Sequence, residues 1–168
     1  MKTQRIILIL VFIGLGKICL GQSYFSRGMH KTNAWYVEVG GNGLLASVNF
    51  DKIFYEAELI KISWRVGAGY APLNLFIPAE KDFATFLFGF NEMFGMRNKY
   101  FEVGINGGYT LGLPDIEGYI DGDLISIMGT IGFRRQSHDK GFVYRFGFTP
   151  MIYPKLLPSV GFSFGQSF

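Results

Sequence analysis

The chain has 168 residues, room for one domain with a sizeable core, and it carries 16 basic residues, 13 acidic residues and one cysteine. The basic excess is confined to the N-terminus: residues 1–21 hold Lys2, Arg5 and Lys17 and no acid, so the remainder has 16 − 3 = 13 basic against 13 acidic residues, which leaves no nucleic-acid footprint. Phe occurs 18 times and Gly 23 times, yet nothing after residue 21 approaches 18 consecutive apolar residues, which excludes helical membrane spans.

Residues 1–21 read as a secretory signal peptide. Lys2 and Arg5 give a positive start and Ile6 to Gly16 is an uninterrupted apolar run. Cys19 and Gly21 put small residues at the −3 and −1 positions of a cut before Gln22. The run is too short to cross roughly 30 Å of hydrocarbon as a helix, and Lys17 interrupts it, which tells against a retained anchor. Lipidation at Cys19 is disfavoured because Ile18, not a small residue, precedes it. Cleavage removes the only cysteine, so the exported chain uses no disulfides. Residues 22–33 are expected to be an N-terminal lead-in, and 34–168 one barrel domain.

From Trp35 onward the apolar residues alternate with period two, the strand signal. Residues 35–40 place Trp35, Val37 and Val39 on one face, and 44–51 place Leu44, Ala46, Val48 and Phe50 there. Between them, Gly40-Gly41-Asn42-Gly43 reads as a tight hairpin turn, because Asn-Gly supports positive φ at a turn centre. A glycine bend inside one long strand is the alternative. Residues 62–71 oppose Ile62, Trp64, Val66, Ala68 and Tyr70 to Ser63, Arg65, Gly67, Gly69 and Ala71. In 83–94 Phe86, Phe88 and Phe90 share a face. In 100–112 Phe101, Val103, Ile105, Tyr109 and Leu111 oppose Glu102, Gly104, Asn106, Gly108 and Thr110. Segment 123–134 carries Ile125, Ile127, Ile131 and Phe133. The last two strands set Phe142, Tyr144, Phe146 and Phe148 against Val143, Arg145, Gly147 and Thr149, then Val160, Phe162, Phe164 and Phe168 against Gly161, Ser163, Gly165 and Ser167.

Eight strands with one bulky aromatic face and one small, glycine-rich face do not suit a water-facing sheet. A narrow barrel fills its interior with small side chains, and a lipid-facing exterior takes bulky apolar groups with Trp and Tyr near the headgroups. The predicted fold is therefore all-β, a closed antiparallel up-and-down transmembrane β-barrel turned inside out relative to a soluble one. Connections 72–82, 113–122 and 153–157 fall at one end, and the short turns 95–98 and 136–140 at the other, the alternation expected of outer-membrane barrels. Segment 52–61 is long for its end, unless the strands on either side run past the membrane.

These Gly-rich amphipathic strands, the Gly21-Gln22 signal end and the closing Val160-Gly-Phe-Ser-Phe-Gly-Gln-Ser-Phe168 resemble the small outer-membrane barrels of Gram-negative bacteria, of the OmpA/OmpX-like eight-stranded class. The resemblance covers residues 34–168 and implies an outer-membrane location in contact with lipid. It also implies that an aromatic last strand, here Phe164 and Phe168, is read by the barrel-insertion machinery. The resemblance to OmpA itself is to its barrel alone, and no soluble peptidoglycan-binding domain is expected after it.

The inward face is expected to carry Glu38, Arg65, Glu102, Arg134 and Arg145, with Glu38 and Glu102 paired to Arg65 and Arg145. A salt-bridged plug is favoured over an ion path, since eight strands leave little room for water. The other clusters point to no chemistry. Asp115, Glu117, Asp121 and Asp123 lack calcium-loop spacing, and two distant histidines without cysteine exclude zinc. Ser137 and His138, adjacent in a turn, point apart, and Gly104-Ile-Asn-Gly107-Gly108 sits between strands rather than before a helix. No catalytic, cofactor or metal residue is assigned. The reading is a non-enzymatic barrel with a structural or surface-interaction role, presenting loops 72–82, 113–122 and 153–157 to an extracellular partner. The rivals are a soluble lipocalin-like carrier, with an apolar lumen and wet exterior, and a lipid-modifying barrel enzyme.

Overall fold

The structure is a computed structural model that describes residues 32–72, 82–113, 122–137 and 141–168. The signal segment and His30 lie outside the described residues. So do the central parts of loops 72–82 and 113–122, with Asp115, Glu117 and Asp121, and the turn residue His138.

The strands are β1 (Asn33–Gly40), β2 (Ala46–Glu56), β3 (Ile60–Ala71), β4 (Phe83–Met96), β5 (Lys99–Leu113), β6 (Gly122–Gln136), β7 (Gly141–Phe148), β8 (Met151–Tyr153) and β9 (Val160–Ser167). All pairings are antiparallel. Each strand from β1 to β7 bonds to the next, β7 bonds to β9, and β9 returns to β1, so the sheet closes. The barrel has eight staves, and the seventh is made of two pieces. β7 stops at Phe148, opposite Ile131, and β8 resumes against Met128 and Ile127. Pro150 sits in the break, where its missing N–H costs no ladder bond and its carbonyl accepts from Gly129 N at 2.9 Å.

Alternation governs every stave. Outward stand Trp35, Val48, Val66, Phe86, Phe88, Phe101, Ile105, Ile125, Ile131, Phe146 and Phe162, all exposed. Inward stand Tyr36, Glu38, Asn49, Asp51, Ser63, Arg65, Asn106, Thr130, Arg134 and Arg145, all buried. On β5 the outward apolar run from Phe101 to Leu111 is about 34 Å along the strand, or roughly 25 Å of height at a barrel tilt of about 40°. That matches the apolar band of a transmembrane barrel. A water-soluble monomer rarely exposes apolar patches beyond a few hundred Å². Glu92 departs from the band, half-buried on the outward face between Ile62 and Val103.

The ends are unequal. At the turn end β2 and β3 join through 57–59, with Ala57 N donating to Ile60 O at 2.7 Å, and β4 and β5 through 97–98. The long segment 52–61 is thus mostly strand, with a short turn at its tip. At the loop end stand the connections 72–82, 114–121 and 154–159, together with the β1–β2 tip.

That tip corrects two expectations. Residues 35–51 form a hairpin, with Gly40 N on Leu45 O at 2.7 Å, but the positive φ angles fall at Gly40 (67°), Gly41 (68°) and Leu44 (67°), not at Asn42-Gly43. Leu44 is the centre of a γ-turn, φ 67° and ψ −71°, closed by Leu45 N on Gly43 O at 2.9 Å. The turn reverses the alternation, so Leu44 packs inward against the buried layer of Ala71, Phe83, Leu87, Leu124, Met128 and Met151, rather than outward beside Ala46. The lumen is accordingly not small and polar throughout: this apolar layer lies towards the loop end, and Ile53, Met93 and Tyr100 form another towards the turn end.

Candidate functional site

Between the two apolar layers lies a charged one. β1, β2 and β5 contribute Glu38, Asp51 and Glu102, and β3, β6 and β7 contribute Arg65, Arg134 and Arg145, three acids facing three bases. Parity alone aims them inward, because each shares a face with buried neutral residues of its stave (Tyr36, Asn49, Asn106, Ser63, Gln136, Val143). Arg65 Nη2 lies 3.2 Å from Glu38 Oε1. Arg145 Nη2 is 2.7 Å from Glu102 Oε1, its Nε is 2.9 Å from Glu102 Oε2, and its Nη1 is 3.9 Å from Glu38 Oε2. Arg134 bonds Asp51 Oδ1 at 2.8 Å and approaches Glu102 at 3.7 Å. Glu38, Arg65, Glu102, Arg134 and Arg145 are all buried on the inward face. Asp51 is the sixth, absent from the expected set although it has the parity of Ser47 and Asn49.

Neutral groups complete the layer. The Tyr36 ring stacks under Arg145, whose guanidinium carbon is 4.7 Å from the centroid, and its hydroxyl accepts from Arg145 Nη1. Asp51 accepts from Ser63 at 3.0 Å, and Glu38 from Ser163 at 3.2 Å and from the backbone N–H of Asn42 at 2.8 Å. Asn42 reaches across the lumen to Thr130 Oγ1 at 3.0 Å, which ties the hairpin tip to the far wall. A cavity of about 10 Å³ lies among Glu38, Arg65, Glu102, Thr130, Arg145 and Ser163, space for about one water molecule. Nearer the turn end Lys61 pairs with Glu56 and lies over the Tyr100 ring.

Chemically this is a neutralised plug. Three carboxylates balance three guanidiniums, and most of their polar atoms are engaged with each other, while Arg65 Nε and Nη1 and Arg134 Nη1 have no hydrogen-bond partner among the described residues. Among the described residues no group of three His, Cys, Asp or Glu is disposed to hold a metal. Asp123, from the acidic cluster, accepts from Tyr109 Oη at 2.7 Å and from Gly112 N at 3.4 Å, and Asp82 accepts from Tyr70 Oη at 2.7 Å. Ser137 offers its carbonyl to Ser167 Oγ. Gly108 lies mid-strand, where a Cβ would come within 2.6 Å of Ser126 Oγ and 2.8 Å of Met128 Cε. Phe164 stacks on Phe142 at 5.3 Å, and Phe168 lies 6.4 Å from Phe50 with its N–H on Asn33 O at 2.9 Å, so the last residues close the seam with β1.

No protein-family model matches the sequence, and no curated protein matches it. Two solved structures are similar to it. One is the Yersinia pestis outer membrane protein Ail in a phospholipid bilayer nanodisc, 11% identical, covering 83% of this chain and 100% of that one with a TM-score of 0.48. The other is the crystal structure of Ail, the attachment invasion locus protein of the same organism, 11% identical, covering 82% and 96%, with a TM-score of 0.40.

Proposed function

We propose that this chain is a non-enzymatic β-barrel of a Gram-negative outer membrane, exported through residues 1–21 with a cut before Gln22. Its role is structural or surface-interactive. One observation carries the reading: the partition of faces is inverted, with Phe, Ile, Val, Trp and Tyr outward and six paired charges inward. In hydrocarbon every backbone N–H and C=O needs a partner within the protein, and a closed ladder supplies it. A soluble ligand carrier needs the opposite partition. A lipid-modifying enzyme needs a nucleophile or base at the outer rim; the carboxylates described there, Asp82 and Asp123, each accept from a tyrosine hydroxyl.

The partners that follow are membrane lipid, the barrel-insertion machinery acting on Phe164 and Phe168, and an extracellular partner at loops 72–82, 113–122 and 153–157. Exposed Ile152, Tyr153 and Leu156 favour the last of these. The test is gel mobility of the membrane-extracted protein with and without boiling. Two bands from material sedimenting with outer membrane are expected. A single band from protein soluble without detergent would overturn the reading in favour of a soluble carrier.

A further inference from the structure

The outward face is neutral over most of its area but not at the turn end. Lys99 and Arg135 are register partners on β5 and β6, both exposed and both outward, one outward position beyond Phe101 and Phe133 where the apolar runs of these two strands stop. Arg97, exposed in the adjoining β4–β5 turn, adds a third cation. Tyr144, on the other side of Arg135, stands in register with it. Directly opposed like charges repel across a strand pair, and the repulsion grows as the dielectric falls towards the hydrocarbon. Among the described residues no carboxylate lies within ion-pairing distance of Lys99, Arg135 or Arg97. Asp139 and Lys140 in the next turn cancel in charge. The loop end differs: its outward acids Asp82 and Asp123 are each capped by a tyrosine hydroxyl.

We propose that Lys99, Arg135 and Arg97 form a binding surface for the phosphate of an anionic phospholipid in the leaflet at the turn end. The acyl chains would lie along Phe101, Phe133 and Tyr144. The inference rests on the membrane reading above. A phosphodiester seated between Lys99 and Arg135 replaces their repulsion by two charge-assisted contacts, Arg135 offering a planar fork and Lys99 a point charge. The depth fits on β5 and β6, whose outward apolar runs end at Phe101 and Phe133, one position short of the pair, while Met96 and Phe142 carry apolar surface to this level on the neighbouring strands.

The test uses the folded barrel in vesicles of phosphatidylcholine with phosphatidylglycerol as the minor component, followed by native mass spectrometry of the lipids it retains. The wild type is expected to hold phosphatidylglycerol about thirtyfold above its share of the bilayer, as a pair of interfacial cations would give. That enrichment should fall as salt is raised. K99Q/R135Q should retain lipids in the bulk ratio, while K155Q at the loop end keeps the enrichment. Wild-type barrel that inserts yet shows no enrichment, or a folded K99Q/R135Q that keeps it, overturns this site and leaves the membrane reading intact. Displacement of the lipid by inorganic phosphate beyond that caused by sodium chloride at equal ionic strength also overturns it. If K99Q/R135Q does not fold, the wild-type enrichment and its salt dependence decide. A protein that does not insert at all overturns both proposals, and the unboiled gel band identifies that case.

Discussion

Arg134 has no exposed surface, and its charge is balanced by Asp51 at 2.8 Å and Glu102 at 3.7 Å. Removing it strands a fully buried Asp51 carboxylate, and breaking a buried pair in this way costs about 3–5 kcal/mol. Arg134→Met should therefore lower the unfolding free energy of the detergent-folded barrel by about that amount, seen in a urea titration as a lower midpoint. Arg134→Met with Asp51→Asn should recover much of the loss, because no unpaired charge then remains at that position. Gly165 makes a steric argument instead. It stands opposite Tyr36 on the β1–β9 seam, where an added Cβ would run into the Trp35 carbonyl oxygen and the Tyr36 Cβ. The large inward ring on β1 needs the missing side chain on β9. Gly165→Ala should cost about 1–3 kcal/mol, seen as a smaller fraction of the unboiled, fast-migrating band at a fixed urea concentration. Gly107→Ala is the control, since a Cβ there meets only Phe88 O at 3.8 Å.

Among the elements, the β1–β2 tip is the one that sequence described least well. Strand positions and faces were legible because alternation is a two-residue signal repeated over as many as 15 residues, and a one-residue error would turn Phe86, Phe88 and Phe90 into the lumen. The tip has no such redundancy. Gly40-Gly41-Asn42-Gly43 announces a reversal, but Leu44 in a γ-turn is set by tertiary packing: its side chain lies against Leu87, Met128 and the rest of the buried layer, which no local pattern encodes. Asp51 was missed for a related reason. Its parity placed it inward, yet its importance comes from Arg134, 83 residues away. Parity points Glu38, Arg65, Glu102 and Arg145 to one face, but which base meets which acid depends on contacts across the lumen, where Arg145 lies near both Glu102 and Glu38. The tip's anchoring also gives a prediction. Asn42 binds Thr130 with its side chain and Glu38 with its backbone, and the side-chain tie reaches the far wall. Asn42→Ala should speed amide hydrogen exchange across 41–45 while β3–β6 keep their protection. Unchanged exchange at the tip would mean that the Glu38 contact and Leu44 hold it without Asn42.

For the molecule as a whole, the two ends differ in chemistry as well as in length. The turn end carries Lys52, Arg97, Lys99 and Arg135 on its outer surface beside Glu58, and the loop end carries Asp82 and Asp123 beside Lys155, with long connections on three of its four crossings. In an outer membrane short turns face the periplasm and long loops the exterior, so the position of the strands predicts the polarity of insertion. The chain suits a direct measurement, because its one cysteine, Cys19, lies in the segment expected to be removed, and any introduced thiol would then be unique. Leu156, 72% exposed in the connection between β8 and β9, belongs outside. Glu58, exposed in the β2–β3 turn, belongs inside. Leu156→Cys should react with a membrane-impermeant maleimide too large for porins in intact cells, and Glu58→Cys only after the envelope is opened. Neither substitution removes a buried contact, so both variants should fold as the parent does. The reverse pattern of labelling would invert the barrel in the membrane. It would move the Lys99–Arg135 surface to the outer leaflet and put the exposed apolar rim of Ile152, Tyr153 and Leu156 out of reach of any extracellular partner.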